Sequence, residues 1–162
     1  MAIRIVIVVA ALVVGAVWLG SARGGVDRTQ CTAGVTTVAG QPARVFCGPA
    51  RATVHYLGRT YAFANGLCKR APAFTVNLGT VTPARSVPPS LTYFGLVVEG
   101  TKPGTYRGTK VLVAFQVGSM RVGLHDLLAE ARPDTSATLT GSSGTFSGKD
   151  AHGNLATGSF TC

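Results

Sequence analysis

Acidic side chains are scarce in this chain of 162 residues: 6 Asp plus Glu stand against 15 Lys plus Arg. Asp27, Glu99, Asp126, Glu130, Asp134 and Asp150 are scattered along it. A glycosidase needs two carboxylates facing each other across a cleft, and a calcium site wants clustered oxygen ligands, so the spacing points to neither. Charged residues of both signs reach only 13%, against 46% hydrophobic ones, which excludes extended disorder. No collagen, coiled-coil or solenoid period is present. Familiar catalytic signatures are missing too. The chain has no G-x-S-x-G, S-x-x-K or H-E-x-x-H, and neither the phosphate-binding nor the dinucleotide-binding glycine loop. Gly141, Gly144 and Gly148 do not open a helix, so turns and bulges account for them.

What is present begins with an address. Arg4 precedes Ile5 to Leu19, an uninterrupted apolar run of 15 residues, and Gly20-Ser21-Ala22 then offers small residues where a signal peptidase cuts. As a helix the run reaches about 22 Å, short of a hydrocarbon core of about 30 Å. Residues 1–22 therefore read as a signal peptide, with an uncleaved N-terminal membrane anchor as the rival. In the rival, Trp18 lies at the outer interface and Arg4 stays inside. Both put the rest of the chain outside the cytoplasm, as a polar lead-in over 23–30 and a folded domain over 31–162.

The cysteines fit that address. Cys31, Cys47, Cys68 and Cys162 all lie beyond the leader, and an even count in a small exported domain implies two disulfides. Gaps of 16, 21 and 94 residues contain no C-x-x-C, which argues against zinc and against a redox site. Four cysteines permit three connectivities. We favour Cys31–Cys47, which closes a loop around a Val35–Gln41 turn region, and Cys68–Cys162, which ties the last residue to the first half of the domain.

The body of the domain reads as strands. Arg51 to Tyr56 and Thr60 to Ala64 alternate with period two on either side of Leu57-Gly58-Arg59, a hairpin. Asn65-Gly66 supplies a turn before Cys68, and Phe74, Val76 and Leu78 share a face. Thr82 to Ser90, with Pro83, Pro88 and Pro89, is a linker or edge crossing. Leu91 to Val98 and Lys110 to Val117 are the most apolar strands, joined by a loop over Thr101 to Gly108. Leu124, Leu127, Leu128 and Ala131 carry a short amphipathic helix signal, with a strand over Met120 to His125 as its competitor. Thr138 to Thr140, Thr145 to Lys149 and Leu155 to Cys162 close the chain. Together with 19 Thr, these segments predict an all-β fold: an antiparallel β-sandwich, or a small barrel, with two disulfides and one short helix.

The candidate site residues are two imidazole–carboxylate pairs, His125-Asp126 and Asp150-x-His152, either of which could orient a base or hold a metal. Ser147 or Ser159 would be the nucleophile beside His152. Against this, Asp150 to Asn154 has the composition of a hairpin tip, and His125 sits in a leucine cluster. No catalytic residue, metal ligand or cofactor is assigned. The stretches Gly144-Thr-Phe-Ser-Gly148 and Gly158-Ser-Phe-Thr-Cys162 resemble the closing strands of small exported actinobacterial proteins of the mycobacterial lipoprotein antigen type. That resemblance implies a β-sandwich with a disulfide near its end and no established catalysis. This chain departs from it in lacking a Cys directly after the leader.

Removing residues 1–22 takes away Arg4, leaving 14 basic against 6 acidic residues and a net charge of +8. Such an excess attracts an anionic envelope surface or an acidic polymer in a salt-sensitive way. The expectation is a non-catalytic ligand- or polymer-binding, antigen-like envelope domain. The alternatives are a small hydrolase using a His–Asp pair, or a structural envelope component. Sequence-specific nucleic-acid recognition is not expected, and membrane contact is expected only through residues 1–22 if they stay uncleaved.

Overall fold

The structure, a computed structural model, describes residues 31–83, 90–124 and 134–162. Its strands in chain order are β1 (Gly34–Val38), β2 (Gln41–Val45), β3 (Arg51–Tyr56), β4 (Arg59–Phe63), β5 (Gly66–Lys69), β6 (Phe74–Val81) and β7 (Thr92–Val98). They continue with β8 (Gly104–Arg107), β9 (Val111–Val117), β10 (Met120–Gly123), β11 (Ser136–Thr140), β12 (Ser143–Lys149) and β13 (Leu155–Thr161). One sheet has seven strands, ordered β1-β2-β6-β7-β9-β10 with β5 also paired to β6; the other has six, ordered β4-β3-β13-β12-β11-β8. The strand ladders are antiparallel throughout.

Period-two alternation explains why two layers form. Phe74, Val76 and Leu78 on β6, Phe94, Leu96 and Val98 on β7, and Val111, Val113 and Phe115 on β9 turn inward from the seven-stranded sheet. Val54, Phe63, Leu139, Phe146 and Phe160 meet them from the other sheet, all in one core. Aromatic rings bridge the layers: Phe74 packs on Phe160 at 5.6 Å, Phe94 on Phe146 at 5.3 Å, and Tyr56 edge-on to Phe115 at 5.4 Å between centroids. The fold is thus a sandwich, and the barrel alternative falls away. The core cluster and both disulfides lie within residues 31–162.

Glycine makes room for two of those rings. Gly144 stands opposite Phe160 and Phe146 opposite Gly158 in the β12–β13 register. A Cβ at Gly144 would come within 2.5 Å of the Phe160 ring, and one at Gly158 within 2.5 Å of the Phe146 ring. Each phenyl therefore lies over its partner's bare backbone and still reaches across the core. Gly79 (φ +78°) lets β6 turn between two neighbours, β5 along Thr75–Leu78 and β2 along Thr80–Val81.

Both expected disulfides form. Cys31–Cys47 and Cys68–Cys162 each have Cα atoms 5.7 Å apart. The second joins β5 of one sheet to the residue after β13 in the other; Cys68 packs against the core, while Cys162 is exposed. Two disulfides fit an oxidising, extracytoplasmic environment. The expected turn over Val35–Gln41 is the hairpin β1–β2, and the expected loop over Thr101–Gly108 contains β8. The strand reading of Met120 onward holds through Gly123. The helix signal beyond Leu124 and the leader lie outside the described residues. Among the described residues, no helix is long and apolar enough to cross a membrane.

Candidate functional site

If the inner face of the six-stranded sheet is phenyl, glycine and alanine, its outer face is hydroxyl. The strand register aligns these outward positions into rows running across the sheet. One row is Arg107, Ser136, Ser147, Thr157, His55 and Thr60, from β8 to β4. The next is Thr105, Thr138, Thr145, Ser159, Thr53 and Ala62. A shorter third row is Thr140, Ser143, Thr161 and Arg51. Neighbouring strands stand about 4.8 Å apart and successive outward residues about 6.8 Å apart, so the hydroxyls form a regular array.

Neighbours in the array bond to one another. Thr105 and Thr138 share a hydrogen bond between hydroxyls at 2.9 Å, Thr140 and Ser143 another at 3.0 Å, and the His55 Nδ1 lies 2.9 Å from the Thr60 hydroxyl. A hydroxyl both donates and accepts, so each of these groups keeps capacity for a ligand. A shallow depression of about 270 Å³ opens between β11, β12 and β13, lined in part by Thr138, Thr140, Ser143, Thr145, Ser159 and Thr161.

Charge on this face has one sign. Arg51, Arg107 and Lys149 all project outward, and no carboxylate does so from the strands of this sheet. Asp134 approaches Lys149 at 3.9 Å from the chain before β11, with both side chains more than half exposed. Among the described residues, ten Lys and Arg stand against Glu99, Asp134 and Asp150.

The four sequence candidates are placed differently. His125 and Asp126 lie outside the described residues. Asp150 is buried, and its carboxylate anchors the turn between β12 and β13. Oδ1 accepts from the backbone amides of His152 and Asn154, each at 2.8 Å. Oδ2 accepts from the Tyr56 hydroxyl at 2.5 Å and the Asn154 amide at 3.0 Å. Burial alone would push this carboxyl up, but the bonds from Tyr56, Asn154 and His152 outweigh it and hold the group well below the usual carboxylate range. In return, the hydrogen bond to Asp150, with burial, raises the Tyr56 hydroxyl above its ordinary value. His152 is exposed and meets Asp150 through its backbone amide. Ser147 and Ser159 belong to the hydroxyl rows. Among the described residues, no group of three His, Cys, Asp or Glu could hold a metal ion.

Tyr93, Phe94 and Tyr106, which could have formed an exposed apolar patch, do not. Phe94 is fully buried, Tyr93 is half-buried and donates to Asn77 Oδ1 at 2.8 Å, and Tyr106 packs partly on the core. The hydroxyl face went unnoticed in the sequence although its signal was there. Ser and Thr alternate with Ala, Gly and Phe through β11, β12 and β13. No protein-family model, curated protein or solved structure matches this chain.

Proposed function

We propose that residues 31–162 form an exported, non-catalytic binding domain whose hydroxyl face docks an acidic polymer of the cell envelope. The observation that carries this reading is the registered hydroxyl array edged by Arg51, Arg107 and Lys149. An extended chain with repeating hydroxyl and carboxylate or phosphate groups matches such a surface in form, and the cations match it in sign. The depression is open and lined by hydroxyls from three strands, a form that suits a polymer laid along the face better than an enclosed small ligand. In this reading the domain is a surface protein of the kind its closing strands resemble.

The test uses residues 23–162 in oxidised form, with polygalacturonate as the acidic probe and dextran as the neutral one. Affinity electrophoresis should retard the domain with polygalacturonate, less so as salt rises past about 0.3 M. An Arg51→Gln/Arg107→Gln variant should bind roughly tenfold more weakly. Equal retardation by dextran, or an unchanged double variant, would sink the proposal.

A further inference from the structure

The hairpin joining β3 to β4 is built against its own backbone preference. Tyr56 pairs with Arg59, leaving a two-residue turn in which Leu57 (φ 49°) and Gly58 (φ 70°) are both left-handed. This is the type I′ turn, where Asn-Gly is the favoured pair. A bulky residue there is a backbone outlier held at a cost. Leu57 gains no core contact in exchange, for it is 60% exposed.

A second leucine stands beside it. Ala156 on β13 pairs with Tyr56, so Leu155 and Leu57 flank that pair at the same end of adjacent strands. Leu155 is 56% exposed. Exposed leucines taken singly carry little meaning, but Leu57 in its turn and Leu155 at the start of β13 come side by side and make a small apolar tip. Cations surround it: Arg59 is the next strand residue after the turn, and Lys149 is the register partner of Leu155. Of the two carboxylates nearby, Asp150 is buried within its turn. Asp134 approaches Lys149 at 3.9 Å with both side chains more than half exposed, which leaves Arg59 as the cation with no carboxylate beside it among the described residues.

From this we infer that the Leu57/Leu155 end of the sandwich inserts shallowly into an anionic lipid surface. The leucines enter the headgroup–acyl boundary while Arg59 and Lys149 stay at headgroup level. The charge of the rim selects an anionic bilayer over a neutral one. A backbone outlier that places an apolar side chain in water is accounted for if water is not its working environment. This contact is separate from residues 1–22; it shares Lys149 with the edge of the hydroxyl array, but neither leucine belongs to that array, and the cations tested above for the polymer are Arg51 and Arg107.

The experiment measures partitioning of residues 23–162 onto phosphatidylcholine vesicles with and without about 30% phosphatidylglycerol. The wild type should favour the anionic vesicles at low salt. Leu57→Asn should bind them about tenfold more weakly, and Leu57→Asn/Leu155→Thr about a hundredfold. Leu57→Asn should also melt at a higher temperature than the wild type, because the turn gains its preferred residue. A residue kept for structure would do the reverse. Binding to polygalacturonate should not change in either variant. Absent wild-type partitioning, full vesicle binding by the double variant, or a parallel loss of polygalacturonate binding would each overturn the inference. The last result would assign the leucines to the polymer site.

Discussion

Asp150→Asn separates a structural carboxylate from a reactive one. The side chain keeps its shape, but one oxygen becomes an NH₂ group facing a site made of donors. These include the Tyr56 hydroxyl, the amides of His152 and Asn154, and the Asn154 side chain. Hydrogen bonds to a charged acceptor contribute about 1.5–3 kcal/mol each, and one donor–donor clash in a buried network should cost about 2–4 kcal/mol in all. Urea unfolding at pH 7 reads this directly. The pH dependence gives the sharper test. A carboxyl whose folded value is depressed stabilises the fold fully above its unfolded value near 3.9, and the contribution fades as pH falls. The gap between wild type and Asp150→Asn should therefore narrow from pH 4 toward pH 2, by up to about 1.4 kcal/mol per pH unit. A loss under about 0.5 kcal/mol at pH 7, or a gap that stays constant down to pH 2, would refute the reasoning.

Two further perturbations test the frame that presents the hydroxyl face. Replacing Cys68 and Cys162 by Ala releases a 94-residue separation and should cost about 4–5 kcal/mol by chain entropy, against about 3 for Cys31 and Cys47; urea midpoints of the two double variants give the order. Gly158→Ala pushes a methyl group onto the Phe146 ring and the Thr53 carbonyl, and should lower stability by about 1–3 kcal/mol in the same assay.

Most of the architecture was legible because alternation is a local signal. Val54 and Tyr56, or Phe74, Val76 and Leu78, announce a buried face within a few residues, and Leu57-Gly58-Arg59 announces a hairpin, which the structure closes more tightly with Arg59 already paired to Tyr56. The elements that escaped are those with little to bury. Strand β1, Gly-Val-Thr-Thr-Val, is exposed over most of its length, and β8, Gly-Thr-Tyr-Arg, buries no residue fully. Their place in a sheet comes from pairing with distant strands, β8 with β11, which no short window contains. The hydroxyl face escaped for the same reason. Each Ser or Thr looks like an ordinary outward strand residue until the register sets Thr105, Thr138, Thr145, Ser159 and Thr53 side by side. At Asp150-x-His152 the sequence offered both a dyad, from closeness along the chain, and a hairpin tip, from the composition of Asp150 to Asn154. Burial of Asp150 in the turn shows what that closeness serves, the Asx-type bonding that shapes a hairpin tip.

The docking role of the hydroxyl face is tested most directly by amide chemical-shift mapping of residues 23–162 titrated with polygalacturonate oligomers at low salt. The account predicts shifts concentrated at Thr145, Ser147, Thr157, Ser159 and Thr53, along the rows between Arg51 and Arg107, and their loss in Arg51→Gln/Arg107→Gln. Shifts centred on the outer face of the seven-stranded sheet, or none at all, would contradict it.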